Sequence, residues 1–292
     1  MNGPDSHSEL NQYQLTPAIG VQIHGVDLKT GVCDETLQAI HLSLMNHLVV
    51  FLPDQDIQPI DQVHFARRLG RLRVAQRAAF EVVPEFPEMA LIANDEQRPP
   101  NVNHYHTDGI FRREPEFASM LRAIDVPSVG GDTIFVSLPA AYDALDDEMK
   151  AYLDDKQAVN DFMKLHGSTK KARSWRGDNW SRMEEMRLDN LPVSHPMVRI
   201  HPVTKRKCLY VSESFTTQII DEDPKRSREV LGFLFRHYQQ PEFQCRLRWR
   251  PNTIAIWDNR STLHYAVADY WPARRVMHRL TIETDALSET TR

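Results

Sequence analysis

The chain has 292 residues, enough to bury a sizeable core as one large domain or two small ones. Its 35 Lys and Arg against 40 Asp and Glu leave a net charge of −5, and the basic residues are scattered, so the sequence presents no nucleic-acid groove. Cys33, Cys208 and Cys245 form no CxxC pair and are expected as small buried residues in a reducing compartment, while no apolar run approaches the roughly 20 residues of a membrane span. A cytoplasmic protein with a small-molecule partner is the expectation.

Residues 1–14 are polar and are expected as a mobile tail ahead of a single domain over 15–292. Leu37, Ile40, Leu44 and Met45 recur at helical spacing and predict a helix over 34–47, which runs into a buried strand over 48–52. Val63, Phe65, Ala66 and Leu69 predict a second helix over 60–69, with Gly70 at its C-cap. A short strand at 90–93 and the Pro99-Pro100-Asn101 loop lead into the segment around His106. Strands follow over 118–124 and 133–136, separated by the Val129-Gly130-Gly131-Asp132 turn. Tyr142, Leu145, Met149 and Leu153 predict one helix. Residues 164–190 have little periodicity, are long for a connection, and carry Trp175 and Trp180, so a lid loop is expected there. Strands at 197–201 and 208–211, a helix from Asp223, and strands at 253–257 and 276–282 complete the chain. Many short strands with helices outside them predict a mainly β fold with a jelly-roll core.

His106-Thr107-Asp108 is where chemistry enters. In extended backbone, residues two apart share a face, so His106 and Asp108 can reach one ion while Thr107 points away. With His264 delivered by a remote strand, two imidazoles and one carboxylate make the donor set of a mononuclear non-haem Fe(II) site. Three of six positions are then filled, and the opposite face is open to a co-substrate and O2. Taken alone, the tripeptide fits equally a structural histidine bonded to an aspartate. His104, on the same face, also offers an HxH pair to zinc.

The block Trp257-Asp258-Asn259-Arg260-Ser261-Thr262-Leu263-His264-Tyr265-Ala266, followed by Arg274-Arg275 and Arg279, resembles the C-terminal signature of the taurine dioxygenase / 2,4-dichlorophenoxyacetate dioxygenase family of Fe(II)- and 2-oxoglutarate-dependent enzymes. The likeness extends through Val49-Val50-Phe51-Leu52, His106-Thr107-Asp108, Gly130-Gly131-Asp132-Thr133, Ala141-Tyr142, His201-Pro202 and Phe215-Thr216-Thr217. It implies the jelly-roll fold, with His106, Asp108 and His264 as Fe(II) ligands. It also implies that Thr133 and Arg275 hold the far carboxylate of 2-oxoglutarate, a task suited to arginine's planar fork. The implied reaction consumes O2, oxidises a C–H bond of a prime substrate and decarboxylates 2-oxoglutarate to succinate and CO2. A homo-oligomer, dimer or tetramer, is implied as well.

By the same resemblance Arg279, on the strand face of Arg275, meets the prime substrate, with Phe215, Val102, Gly109 and His166 around it. A buried arginine without an anion is costly, so the substrate is expected to be anionic. The other reading of Arg279 is that it braces the iron site through a carboxylate. Where taurine-oxidising members grip their substrate with a histidine, a tyrosine and an asparagine, this chain has Ala75, Ala78 and Val102, and His166 replaces a lid aromatic. A sulfonate, sulfate ester or carboxylate bulkier than taurine is therefore expected. Desaturation or cyclisation at the same iron is one alternative. A zinc hydrolase or a non-catalytic binding protein on the same barrel is another, and Thr133 with Arg275 speaks against it.

Overall fold

The computed structural model describes residues 10–75, 81–166 and 180–289. Its frame is a sandwich of two sheets. The larger has eight strands in the spatial order Asn11–Gln14, Val21–His24, Val49–Leu52, Ile254–Asp258, Ala118–Asp125, Arg275–Ile282, Phe86–Asn94 and Glu81–Val83. The smaller facing sheet has three, ordered Gln244–Leu247, Thr133–Ser137 and Thr262–Ala266.

Period-2 alternation explains the layering. On one face of the large sheet Val50, Leu52, Met120, Ile254, Ile256, Leu280 and Ile282 pack against the helices Asp34–His47 and Pro59–Leu69. On the other face Val49, Phe51, Leu121, Ala255, Trp257 and Met277 meet Phe135, Cys245 and Leu247 of the small sheet. Strands buried on both faces read as continuous apolar runs, as Val49-Val50-Phe51-Leu52 does. The outer face of the small sheet, through Val136 and Leu263, is covered by the helix Pro224–His237 and two shorter helices. The mainly β jelly-roll reading therefore holds, with helices flanking both sheets.

Several elements differ from expectation. Asn11–Gln14 is not tail: it pairs antiparallel with Val21–His24 in full register, so the expected tail through residue 14 is too long. The helix expected across 142–153 is two, Leu138–Asp143 and Asp147–Leu153. Ser137 caps the first by accepting from Ala140 N, and Asp146 caps the second by accepting from Met149 N, so a new start lies inside the periodic run. Gly70 does end its helix, but its φ of 169° is ordinary extended backbone. Glycine is required there by space, because a Cβ would lie 1.9 Å from the Thr284 carbonyl oxygen. Cys208 and Cys245 are buried, whereas Cys33 is exposed at a helix start, contrary to expectation. Within the expected lid, Trp180–Asp189 is helical; residues 167–179, with Trp175, lie outside the described residues. No helix among the described residues is long and apolar enough to cross a membrane.

Candidate active site

His106 and His264 face each other in an isolated antiparallel bridge and exchange both backbone hydrogen bonds, at 3.0 and 2.7 Å. Directly opposed residues of a pair project to one side, so the two imidazoles lie with ring centroids 4.0 Å apart. Asp108, two residues on, brings Oδ1 to 3.9 Å from His106 Nε2. Ligand atoms of the three residues all lie within 4.8 Å of one another, and all three side chains are buried. His104 contributes its carbonyl rather than its ring: His106 Nδ1 donates to it at 2.9 Å. That bond fixes the tautomer and leaves Nε2 as the ring nitrogen with a lone pair available to a metal ion.

Charge on the triad suits a divalent cation. Burial lowers the pKa of His106 and lowers that of His264 further, with His106 itself as the second cause for His264. Both imidazoles are thus neutral donors at pH 7. Burial alone would raise the Asp108 carboxyl, but Arg279, the two histidines and Ser119 together hold it well below the usual carboxylate range.

Asp108 is held by one oxygen only. Oδ2 accepts from Ser119 Oγ at 2.7 Å and from Arg279 Nη2 at 2.8 Å. Asn259 Nδ2 donates to Ser119 Oγ at 3.2 Å, and Thr107 Oγ1 donates to the Asn259 carbonyl at 2.8 Å. This network ties the Asp108 carboxylate to the Ala118–Asp125 strand and to the turn before Thr262–Ala266, and it turns Oδ1 toward the histidines. Arg279 therefore stands where the bracing reading put it. It is the counter-ion of Asp108, the carboxylate of the candidate metal triad, with a side chain 18 % exposed.

Arg275 lies on the same strand face, 5 % exposed, between the rings of Trp249 and Tyr270, whose centroids are 6.0 and 5.8 Å from its guanidinium carbon. No acid pairs with it among the described residues, and its Nε is buried without a hydrogen-bond partner. Thr133 is buried nearby on the small sheet, its Oγ1 accepting from Trp249 Nε1 at 2.9 Å. A buried guanidinium with no carboxylate of its own fits the far carboxylate of a bound dicarboxylate.

The expected substrate wall lies partly within the described residues. Phe215 is buried against Ile110, Tyr210 and Phe111. Gly109 has φ +72°, and a Cβ there would fall 1.5 Å from Glu116 Oε2, so position 109 must be glycine for both reasons. Val102 sits at the rim, 38 % exposed. Ala75 is half-buried, its N–H donating to the Pro87 carbonyl at 2.9 Å. Ala78 and the His166 side chain lie outside the described residues, although His166 ends the helix Phe162–His166.

Sequence reasoning missed Ser119, Trp249 and Tyr270, and missed that Glu116 pairs with Arg112 at 2.9 Å and Arg73 at 3.4 Å beside Gly109. One signal was available: Trp249 continues the inward alternation of Cys245 and Leu247. The strand Gln244–Leu247, which ends two residues before Trp249, was not expected.

The sequence profile described as "Taurine catabolism dioxygenase TauD, TfdA family" matches residues 11–281. The chain belongs to this family. An alpha-ketoglutarate-dependent sulfate ester dioxygenase of Pseudomonas putida is 30% identical over 297 residues, covering 97% of this chain and 95% of the relative. An alkylsulfatase of Acinetobacter baylyi is 29% identical over 277 residues, covering 94% and 85%. Among solved structures, a taurine dioxygenase from Burkholderia xenovorans superposes with a TM-score of 0.79 at 29% identity, covering 94% of this chain and 89% of that one.

Proposed function

We propose that the protein is an Fe(II)- and 2-oxoglutarate-dependent dioxygenase that oxidises a C–H bond next to the ester oxygen of an organic sulfate bulkier than taurine. The observation that carries the co-substrate assignment is Arg275, a buried cation with no acid among the described residues, eleven positions beyond His264 on the strand beside the metal triad. The relatives named as a sulfate ester dioxygenase and an alkylsulfatase support the ester class, and Ala75 and Val102 stand where taurine-oxidising members carry polar groups.

His106 Nε2, Asp108 Oδ1 and His264 would hold Fe(II). When bound, the metal and 2-oxoglutarate supply the activation of O2 that oxidises the C–H bond. The chain's own residues do the rest. His104 O and Ser119 set the orientation of two ligands, Arg275 and Thr133 receive the far carboxylate of 2-oxoglutarate, and Arg279 balances Asp108. The anionic end of the prime substrate is placed on the Arg279 side, along Phe215, Gly109 and Val102. Hydroxylating R–CH2–OSO3⁻ gives R–CH(OH)–OSO3⁻. Loss of the hydroxyl proton and departure of sulfate then leave R–CHO and hydrogen sulfate, with one O2 and one 2-oxoglutarate consumed and succinate and CO2 released.

Alkyl sulfates of increasing chain length, added to the Fe(II)-loaded protein with 2-oxoglutarate, should stimulate succinate and release sulfate in equal amounts. Stimulation by aryloxy acids or sulfonates alone would reject the ester class. Arg275→Ala should abolish succinate formation with every substrate; activity retained there would reject the co-substrate site. Because Arg279 serves Asp108, Arg279→Leu should weaken metal binding together with substrate binding. Loss of substrate affinity with metal affinity intact would remove the bracing role.

A further inference from the structure

Thr133 has a hydroxyl that can accept and donate, and within the protein it accepts. Its Oγ1 accepts from Trp249 Nε1 at 2.9 Å in a buried setting, and among the described residues it donates to no other group. A hydroxyl whose lone pair is taken by an N–H turns its own proton elsewhere. Arg275 is treated in parallel. Tyr270 donates its O–H to Asn94 Oδ1 at 2.9 Å, so the phenol oxygen meets the Arg275 guanidinium with a lone pair. The Trp249 ring lies over the same guanidinium, and a Cβ at Gly131 would come within 3.2 Å of Tyr270 Cδ1 and 3.4 Å of Arg275 Cδ. Two donors, one neutral and one charged, are thus oriented before any ligand arrives.

We infer that Trp249 is a positioning residue for 2-oxoglutarate: its indole N–H occupies the Thr133 lone pair and so points the Thr133 hydroxyl proton at the far carboxylate that Arg275 receives. The inference rests on the co-substrate site proposed above. Preorganisation of this kind raises affinity by removing the cost of ordering the donor at the moment of binding. Trp249 acts through Thr133, so its effect exists only while the Thr133 hydroxyl is present. It also concerns only ligands that carry the far carboxylate.

The test is a double-mutant cycle of Trp249→Phe and Thr133→Val, read by calorimetric titration of 2-oxoglutarate into the Mn(II)-loaded protein. Trp249→Phe keeps a ring over Arg275 and removes the N–H. It should weaken 2-oxoglutarate about three- to tenfold, the range of one modest hydrogen bond. In the Thr133→Val background the same change should cost less than about twofold, since interacting residues are non-additive. Thr133→Ser, which keeps the hydroxyl, should restore the sensitivity to Trp249→Phe. The affinity of 2-oxopentanoate, of equal length without the far carboxylate, should not respond to Trp249→Phe, whereas a packing defect would weaken both ligands. An unchanged 2-oxoglutarate affinity in Trp249→Phe, the same loss in both Thr133 backgrounds, or an equal loss for 2-oxopentanoate would each overturn the inference. Trp249→Leu, which also lacks a donor, repeats the cycle if the phenylalanine variant does not fold. Failure of the wild-type protein to bind 2-oxoglutarate would instead overturn the co-substrate assignment.

Discussion

Asp108 and Asp258 are both buried and both held well below the usual carboxylate range, yet their oxygens are used in opposite ways. For Asp258, Oδ1 accepts from the Arg260 backbone N–H at 2.8 Å and from Arg260 Nε at 2.9 Å. Its Oδ2 accepts from His201 Nε2 at 3.0 Å and from Arg260 Nη2 at 2.6 Å. Arg260 continues to Asp285 at 3.1 Å, and Asp285 to His41 at 2.8 Å, which closes a network of fully paired groups. Asp108 has one saturated oxygen and one turned to the histidines. A carboxylate satisfied on both oxygens holds structure, and one satisfied on a single oxygen is kept for a ligand. The same residue type, buried in both places, is assigned by its accounting of acceptors.

Substitution at the two aspartates should separate these roles. Asp258→Ala strands Arg260 and His201 and is expected to cost about 3–5 kcal/mol in denaturant titration, the usual penalty for breaking a buried pair. Asp108→Ala should instead abolish Mn(II) binding and succinate formation while destabilising the fold less than Asp258→Ala. If Asp108→Ala proved the more destabilising of the two, the division between them would fail.

Ser119→Ala is the sharper probe, since it leaves every metal ligand in place. Removing an outer partner of a ligand typically costs about 10–100-fold in metal affinity, and that loss is expected with only about 1 kcal/mol of stability. Metal affinity within twofold of wild type would show that Arg279 alone orients Asp108.

Acid titration gives the smallest effect. Stability contributed by a depressed carboxylate is present above its unfolded value near 3.9 and fades only below it. Neither aspartate therefore weakens the fold between about pH 4 and pH 6.5. Histidines act in that window. Burial, aided by Arg122, lowers His278 from 6.5 to about 4. The unfolded chain then binds the extra proton there, and stability falls as pH drops from about 6.5 toward 4. His278→Gln should flatten part of that slope in the metal-free protein; an unaltered slope would place its origin in the other depressed histidines.

Much of this was legible in the chain. The helix over 34–47 and the strand after it were set by apolar spacing alone, because a 3.6-residue stripe and a run of four apolar residues leave few other ways to bury that surface. The His106-Thr107-Asp108 triplet and the block around His264 were readable because extended backbone puts alternate residues on one face. The split of the 142–153 helix was harder to see, since periodicity is blind to a cap inside a run. The strand Gln244–Leu247, with alternating Gln, Cys, Arg and Leu, was too short to stand out.

Sequence by itself determined the donor types, the parity that puts Arg275 and Arg279 on one strand face, and the family. Tertiary structure decided what each donor does. Arg279 reads from sequence as a substrate cation, and the sheet also brings it to 2.8 Å from Asp108. Ser119 and Trp249 are an ordinary strand serine and an ordinary core tryptophan until one meets the metal carboxylate and the other meets Thr133. A hydrogen bond between remote strands depends on register and distance, and neither is encoded by any local pattern.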